Sequence, residues 1–240
     1  MTSPQRFPKG VTNAKAESPF GQFLQPDPRL VYGYFNDFFQ YAATDWVLTT
    51  QEAGAGSASE AIASDETGGV LTITNAGGSG DHDNFQLSID GGTNDSETFL
   101  FAVGKKAWFD TRFKSNDSDQ VAIFVGLHIT NTDPVDTAPT DGVWFYITGG
   151  NISFQSRKDS AGTSLTNIAT MPADDTFVRL SYYWDGVDSF YVYVDGVLVG
   201  TASSATIPDN ELCAISFGVE NSEADTNTME IDYIGAWMER

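Results

Sequence analysis

The sequence predicts an all-β protein, a two-sheet antiparallel jelly-roll sandwich preceded by an extended N-terminal arm. Three observations lead to this prediction. Short runs of alternating or β-branched and aromatic residues follow one another from about residue 32 onward. The segments between them are rich in Gly, Asn and Asp, as in GGSGDHDN and DGGTNDSE. No segment has convincing helical periodicity, and no internal repeat indicates a propeller.

The predicted strands are runs of five to ten residues whose side chains suit a pleated, half-buried surface. They span residues 69–75, 85–90, 98–103, 107–114, 121–130, 143–148, 151–157, 177–185, 189–195, 197–201, 211–220 and 228–237. A dozen short strands in about 208 residues are typical of a sandwich or jelly roll.

Charge excludes several classes of partner. The 240 residues include 33 acidic and 12 basic side chains, which gives a net charge of −21. A nucleic-acid-binding surface needs clusters of Lys and Arg, and an anionic membrane attracts the same residues. We therefore expect no nucleic-acid partner and no membrane partner, and a surface that repels copies of itself.

Neither secretion nor disulfide formation is expected. The opening MTSPQRFPKG lacks the apolar region of a signal peptide, and no apolar run is long enough to span a membrane. Cys213 is the single cysteine, so no intrachain disulfide framework exists. Its apolar neighbours Leu212 and Ile215 predict that it is buried.

Residues 1–31 are predicted to form the arm, and residues 32–240 the sandwich. Five of the nine prolines fall in the first 28 residues, which disfavours both helix and inner strand. Residues 1–31 also hold four of the 12 basic residues and more aromatic side chains than a free tail usually has. The arm could be a disordered leader, or it could lie along a neighbouring protein. In the second case the residues expected to contact the partner are Phe7, Phe20, Phe23, Leu24, Arg29 and Leu30.

The most specific stretch is TFVRLSYYWDGVDSFYVYVDGVLVG, residues 176–200. Alternation places Val178, Leu180, Tyr182 and Trp184 on one face of its first strand, and Asp195-Gly196 suits a two-residue hairpin turn. This hairpin and the closing IDYIGAW resemble the concanavalin A-like lectin and glucanase superfamily, including laminin-G-like domains. The resemblance covers about 65 residues closely and implies the jelly-roll fold.

Glucanases of that superfamily carry E-x-D-x-x-E on one strand, and Glu230 and Asp232 match its beginning. The second glutamate, which would be the acid/base, should stand at 234 or 235, but those residues are Ile234 and Gly235. We therefore expect a protein that is not an enzyme. The final strand is then expected to turn both acidic residues outward and to bury Ile231, Tyr233 and Trp237.

A group of aromatic residues and one histidine could form a glycan site or a subunit interface on the outer face of the sandwich. It would be part of the core if the two faces were assigned the wrong way round. The residues proposed for it are His128, Trp144, Tyr146, Tyr183, Tyr191 and Tyr193.

The resemblance also raises the question of calcium, which related domains hold with loop oxygens. Acidic loops at residues 79–84, 92–97, 115–119 and 132–141 offer such oxygens, but none has a spaced calcium motif. Solvated acidic loops are the alternative interpretation, and the sequence does not identify a metal.

A lectin-like sandwich without a secretion signal, but with a basic apolar arm, resembles structural proteins of tailed bacteriophages. MTSPQRFPKG and the later FNDFFQY carry that resemblance. It implies a capsid decoration, or cement, protein made in the host cytoplasm and placed on the outer capsid surface. The arm would tether it to the major capsid protein, and sister subunits would form a homotrimer. The alternatives, in order, are a receptor-binding or fibre-associated lectin of the virion that recognises a cell-surface glycan, a bacterial glycan-binding module and a glycoside hydrolase.

Overall fold

The computed structural model describes residues 29–54 and 56–240. In these ranges the chain forms a short 3-10 helix at Ala43–Asp45 and fifteen strands. The strands are β1 (Val31–Asn36), β2 (Trp46–Gln51), β3 (Ser59–Ile62), β4 (Leu71–Thr74), β5 (His82–Leu87), β6 (Ala107–Ser115), β7 (Val121–His128), β8 (Gly142–Thr148), β9 (Asn151–Lys158), β10 (Ala161–Thr170), β11 (Val178–Trp184), β12 (Ser189–Val194), β13 (Val197–Ser203), β14 (Ala214–Asn221) and β15 (Thr228–Glu239). A search of the same ranges found no helix with the length and apolar character needed to cross a membrane.

The strands form two antiparallel sheets, which confirms the predicted sandwich. The eight-stranded sheet has the order β13-β12-β11-β6-β15-β4-β3, and β1 pairs with the second half of β15. The seven-stranded sheet has the order β10-β9-β8-β7-β14-β5-β2. Two such sheets pack face to face because each has one apolar face to bury.

Aromatic rings fill the space between the sheets. Tyr182 of the eight-stranded sheet contacts Phe145 and Phe154 of the seven-stranded sheet, with ring centroids 6.1 Å and 5.6 Å away. Near the other end of the sandwich, Phe217 stacks on Phe85 at 4.7 Å and meets Trp46 edge-on at 4.8 Å. These rings bury large apolar areas and so contribute much of the driving force for folding.

Four strands were not predicted, namely β1, β2, β3 and β10. The longest, β10, is an edge strand with mostly half-exposed or exposed residues and an irregularity between Leu165 and Ala169, so it has little alternating pattern to detect. Conversely, residues 98–103 form no strand beyond a single bridge from Phe99 to Cys213. Their apolar character has another cause, since Phe101 inserts into the core.

In the final strand, β15, some side chains face the opposite side of the sheet from the one predicted. A register irregularity lies between Ile231 and Tyr233, so Asp232 and Tyr233 both lie on the outer face. An extra residue of this kind reverses the inward and outward positions that follow it. Tyr233 and Trp237 therefore lie outside, contrary to expectation. The side chains that β15 buries after the irregularity are those of Ile234, Ala236 and Met238.

Removing one core ring tests the importance of the aromatic packing. We expect Phe217→Ala to lower the free energy of unfolding by about 3–5 kcal/mol, because Phe217 is fully buried and its cavity cannot collapse completely. Urea unfolding followed by tryptophan fluorescence measures this. Ile89→Ala is the control, since Ile89 is 67% exposed and its loss should change stability by less than about 0.5 kcal/mol. An equal loss of stability in the two variants would contradict the placement of Phe217 in the core.

Candidate functional site

The outer face of the seven-stranded sheet has a polar half and an aromatic half. Strands β5 and β14 carry His82, Asn84, Gln86 and Glu220, whereas β7 and β8 carry Phe124, Trp144 and Tyr146. Trp144 stacks on Phe124, with ring centroids 5.4 Å apart. Gly126 permits this arrangement, because a Cβ there would come within 2.5 Å of the Trp144 Cβ.

The loop of residues 129–141, which we call the cover loop, is fastened to this face at its base. The Asn84 side chain donates a hydrogen bond to the Asn131 carbonyl at 2.9 Å, and Gln86 donates to the Ile129 carbonyl at 3.3 Å. The Asn131 N–H in turn donates to the Gln86 side chain at 3.0 Å. Asn84 and Gln86 therefore act as structural anchors for the loop.

A pocket of about 230 Å³ lies beside the cover loop. Pro134, Val135 and Ala138 of the loop line one side of it, and Trp144, Tyr146 and Gln155 are among the residues that line the sheet side. Because the loop lies over the sheet, Trp144 is only 1% exposed, and Tyr146 is half-buried. A sugar cannot stack on the face of Trp144, because the ring is covered in this way.

His128 is also buried, at the end of β7 where the cover loop begins. Its Nδ1 lies 2.5 Å from the Ile129 carbonyl oxygen, and its ring meets Phe124 edge-on at 4.8 Å. Burial lowers the pKa of His128 to about 4. The histidine is therefore neutral at ordinary pH and has a structural role.

The predicted group of aromatic site residues is thus wrong in two respects. His128 and Trp144 are buried beneath the cover loop and are not surface residues. Tyr183, Tyr191 and Tyr193 lie on the eight-stranded sheet, so they cannot share a surface with Trp144 and Tyr146. Alternation along the strands of these six residues was assigned correctly, but the sequence does not say which sheet a strand joins.

Three polar side chains converge at one end of the polar half. His82 and Glu220 are directly opposite each other on β5 and β14, with Nδ1 and Oε2 3.8 Å apart. Asp133 reaches them from the cover loop, and one donor atom of each of the three residues lies within 4.8 Å of the others. Burial raises the pKa of Glu220 to about 7, and the charges of Asp136 and Asp133 add to the effect.

Sequence reasoning missed this cluster. No other histidine stands near His82 in the sequence, and Glu220 is only the last residue of a predicted strand. The sequence gives little indication of the cluster, because its three residues are separated by about 50 and 90 positions in the chain. They meet only through sheet register and the position of the cover loop. Asp133 is one of several acidic residues in the loop of residues 132–141, and nothing in the sequence distinguishes it from the others.

The outer face of the eight-stranded sheet carries a second group, which we call the aromatic face. It consists of Phe35, Trp108, Tyr183, Tyr191, Tyr193, Tyr233 and Trp237. Sheet register sets four of the rings side by side across four strands, in the order Tyr191, Tyr183, Trp108 and Trp237. The Trp108 and Tyr183 rings are 5.6 Å apart, and those of Tyr183 and Tyr191 are 5.8 Å apart.

Ion pairs cross the same face. Arg179 Nε donates to Asp110 Oδ1 at 2.8 Å, and a second guanidinium nitrogen bonds the other oxygen of this nearly buried carboxylate. Lys114 lies 3.0 Å from Glu230, and Arg112 pairs with Asp232. The two acidic residues that resemble the start of the glucanase motif are therefore outward-facing, as predicted, and are neutralised by basic neighbours.

Most of the predicted arm contacts, namely Phe7, Phe20, Phe23 and Leu24, lie outside the described residues. Arg29 and Leu30 are described, and both are exposed. The Leu30 carbonyl accepts a hydrogen bond from the Arg240 N–H at 2.8 Å, and β1 begins at the next residue. The contact of the arm with a partner stays a prediction.

The acidic loops considered for calcium mainly organise their own backbone. Asp81 accepts hydrogen bonds from the Ala53, Gly54 and Gly78 N–H groups, and Asp90 accepts them from Thr93 and Asn94. Such bonds lower the pKa of both carboxyl groups, although burial opposes the effect. Within the described ranges, the cluster of His82, Asp133 and Glu220 is the group whose donor atoms converge closely enough to hold a metal ion.

Comparisons with known proteins identify the fold. No protein-family model matches this chain, and no curated protein matches it. Among solved structures, a protein of unknown function from Shewanella oneidensis MR-1 is 17% identical with a TM-score of 0.58, over 95% of this chain and 97% of that one. Matches to glucanases and a lectin show that the fold is a concanavalin A-like jelly roll.

Two other structures show the range of proteins that share this concanavalin A-like fold. A prokaryotic β-1,3-1,4-glucanase (lichenase) from a mouse hindgut metagenome is 15% identical with a TM-score of 0.55, over 85% of this chain and 98% of that one. Peanut lectin is 9% identical with a TM-score of 0.54, over 88% of this chain and 97% of that one.

The comparisons also correct the prediction that the chain is not an enzyme. Glucanases are among the proteins with the same concanavalin A-like fold. That prediction rested on a single missing glutamate in β15, and it took no account of carboxylates elsewhere on the sandwich. Glu220 and Asp133 on the opposite outer face are such carboxylates.

Acid should destabilise this sandwich through His128. The folded state lowers its pKa from 6.5 to about 4, so the folded chain binds this proton less readily than the unfolded chain does. The resulting stability is complete above about pH 6.5 and is lost as the pH falls toward about 4. We expect His128→Gln to remove this part of the pH dependence, up to roughly 3 kcal/mol at about 1.4 kcal/mol per pKa unit.

Urea unfolding of both proteins at a series of pH values measures the difference. Acidic residues titrate in the same window, but they are common to both proteins, so the difference between the two curves isolates His128. Parallel curves would show that His128 does not titrate in this range.

Proposed function

We propose that this chain is a structural subunit that packs against copies of itself through the aromatic face, as a decoration protein on the outer capsid surface of a bacteriophage. The observation that carries the assembly part is the aromatic face itself. The virion part rests on the resemblance of the sequence to phage structural proteins.

Composition and exposure support a protein interface at this face. Tyr, Trp and Arg are the residues that most often dominate the binding energy of interfaces, and all three are concentrated here. At the margins of the face, Phe35 is 52% exposed and Leu198, which lies opposite Tyr193, is 50% exposed. Exposed apolar side chains beside half-exposed aromatic rings are typical of protein interaction surfaces.

Ring geometry favours a protein partner over a sugar. A sugar stacks on an open ring face, whereas Tyr183 packs against both Trp108 and Tyr191 at separations typical of stacked rings. Phe35 likewise stacks on Trp237 at 6.1 Å. The rings therefore cover one another's faces and present their edges, which suit the grooves of another protein surface.

The distribution of charge also favours the aromatic face as the site of self-association. A chain with a net charge of −21 repels its copies, so association needs a region where that charge is locally balanced. Arg112, Lys114 and Arg179 lie on this face, each paired with a carboxylate. Two copies can approach there without bringing unpaired acidic groups together.

The predicted arm continues directly from this sheet. Its last residue, Val31, is the first residue of β1, and β1 contributes Phe35 to the aromatic face. An arm that lies along a neighbouring subunit would therefore extend from the edge of the proposed interface. Several arms presented by one oligomer would strengthen attachment to a capsid through avidity.

Sedimentation velocity tests the self-association. We expect the wild-type chain to form a closed oligomer, a trimer in our proposal, at increasing concentration. Phe35→Ser and Tyr193→Ser should each weaken association tenfold or more, because both remove apolar contact area from the interface. Ile89→Ser is the matched control on an exposed apolar residue elsewhere, and it should leave association unchanged. A wild-type chain that stays monomeric at every concentration would rule out the interface.

The virion assignment is tested separately on particles. We expect the full-length chain to bind capsids that lack it and to appear in hundreds of copies on their outer surface in an electron-microscopy reconstruction. The Phe35→Ser chain should bind with lower occupancy. A handful of copies at the tail would favour the fibre-associated alternative instead.

A second candidate function is glycan recognition, favoured by the pocket between the cover loop and the seven-stranded sheet. Tyr146 and Gln155 supply a half-buried ring and an amide there, a combination that suits a small sugar. Asp133 and Glu220 on the same face favour a neutral glycan over an anionic one.

A glycan array and a reducing-end assay with neutral β-glucans test this second function. Binding or cleavage that Tyr146→Ala weakens at least tenfold, and that Tyr183→Ala on the opposite sheet leaves unchanged, would support it. Loss of activity in Tyr183→Ala but not in Tyr146→Ala would place the glycan on the aromatic face and contradict the pocket.

A further inference from the structure

The cluster of His82, Asp133 and Glu220 has a feature that neither proposed function explains. The side chain of His82 is 7% exposed, which makes it more than nine-tenths buried, and that of Glu220 is 11% exposed. His82 Nδ1 and Glu220 Oε2 are inaccessible to solvent and have no hydrogen-bond partner among the described residues. Buried polar atoms almost always have partners, because leaving one unpaired costs about 1–3 kcal/mol.

The two atoms point at the same space. Their separation of 3.8 Å is too long for a hydrogen bond and leaves room between them. Asp133 closes the third side from the cover loop, with a donor atom within 4.8 Å of both. The arrangement therefore directs one nitrogen and two oxygens toward a common point.

The acidic groups around this cluster favour the binding of a cation. Glu220, Asp133 and the nearby Asp136 are acidic, and in the described parts of the chain the ion-pair partner of Glu220 is His82 alone. A neutral histidine offers a lone pair but no positive charge. A divalent cation would satisfy that lone pair and both carboxylates together.

We propose that His82, Asp133 and Glu220 bind a divalent transition-metal ion of the Zn²⁺ type. Zn²⁺ accepts imidazole nitrogen and carboxylate oxygen at about 2.0–2.2 Å, which places neighbouring tetrahedral ligands roughly 3.3 Å apart. The observed 3.8 Å between Nδ1 and Oε2 needs only a small movement to reach that value. A water molecule would complete the coordination.

The donor set discriminates against calcium and magnesium. Ca²⁺ takes six to eight oxygen ligands, and Mg²⁺ prefers oxygen in an octahedral arrangement. A histidine nitrogen with two carboxylates suits Zn²⁺ and its transition-metal neighbours instead. This site includes a nitrogen ligand, whereas the acidic loops that the sequence suggested for calcium offer only oxygen ligands.

The metal would fasten the cover loop to the sheet. The base of the loop is already held by Asn84 and Gln86, but Asp133 lies beyond those bonds, beside Pro134 and Val135 of the pocket wall. Binding through Asp133 would press this wall against Trp144. The pocket shape would then depend on the ion, and tryptophan fluorescence would report its binding.

Calorimetric titration with Zn²⁺ alone tests the site on the full chain, freed of any affinity tag and treated with a chelator. We expect one Zn²⁺ per chain, a rise in melting temperature, and no comparable binding of Ca²⁺. Glu220→Gln and His82→Asn should each weaken Zn²⁺ binding at least tenfold. Glu211→Gln is the matched control, because Glu211 is exposed and outside the cluster, and it should bind Zn²⁺ as the wild type does.

Non-specific binding to an acidic surface is the main competing explanation. It would give several weak sites per chain, similar affinity for Ca²⁺, and equal losses in Glu211→Gln and Glu220→Gln. Any of these results would overturn the proposal. If a variant fails to fold by circular dichroism, the visible spectrum of Co²⁺ added to the wild-type chain decides. Tetrahedral bands that Zn²⁺ abolishes support the site, and a spectrum of octahedral aqueous Co²⁺ contradicts it.

Discussion

The burial of aromatic rings between the two sheets is the constraint on which the rest of the structure depends. Tyr182, Phe145 and Phe154 can meet only if their strands turn these positions inward. Because side chains alternate along a strand, each inward ring assigns its two neighbours to the outer face. The core therefore decides the outer surfaces as well, although no residue of those surfaces belongs to it.

The two outer faces are covered by the rest of the chain to different extents. On the seven-stranded sheet, Asn84 and Gln86 hold the cover loop over Trp144, and the aromatic half of that face becomes part of a second, smaller buried layer. On the eight-stranded sheet the described chain buries Trp108 but leaves the other rings of the aromatic face half-exposed or exposed. The proposed metal site and the proposed interface therefore lie on opposite sides of the molecule, and each can be tested without disturbing the other.

The concanavalin A-like fold gives little guidance on function by itself, since lectins and glucanases share it. The resemblance of Glu230 and Asp232 to a catalytic motif shows why. These carboxylates lie on the eight-stranded sheet and are paired with Lys114 and Arg112, so their local chemistry is that of surface ion pairs. The convergent buried groups are found on the other face, where no motif points to them.

The sequence by itself determined the fold class, the outward position of Glu230 and Asp232, and the burial of Cys213. These follow from alternation and local turn chemistry, which act over a few residues. Only the tertiary structure decided which strands share a sheet, and it separated Trp144 from Tyr183. It also decided the reversal of Tyr233 and Trp237 and the meeting of His82, Asp133 and Glu220. Register and sheet order depend on contacts between residues far apart in the chain, and no local pattern encodes them.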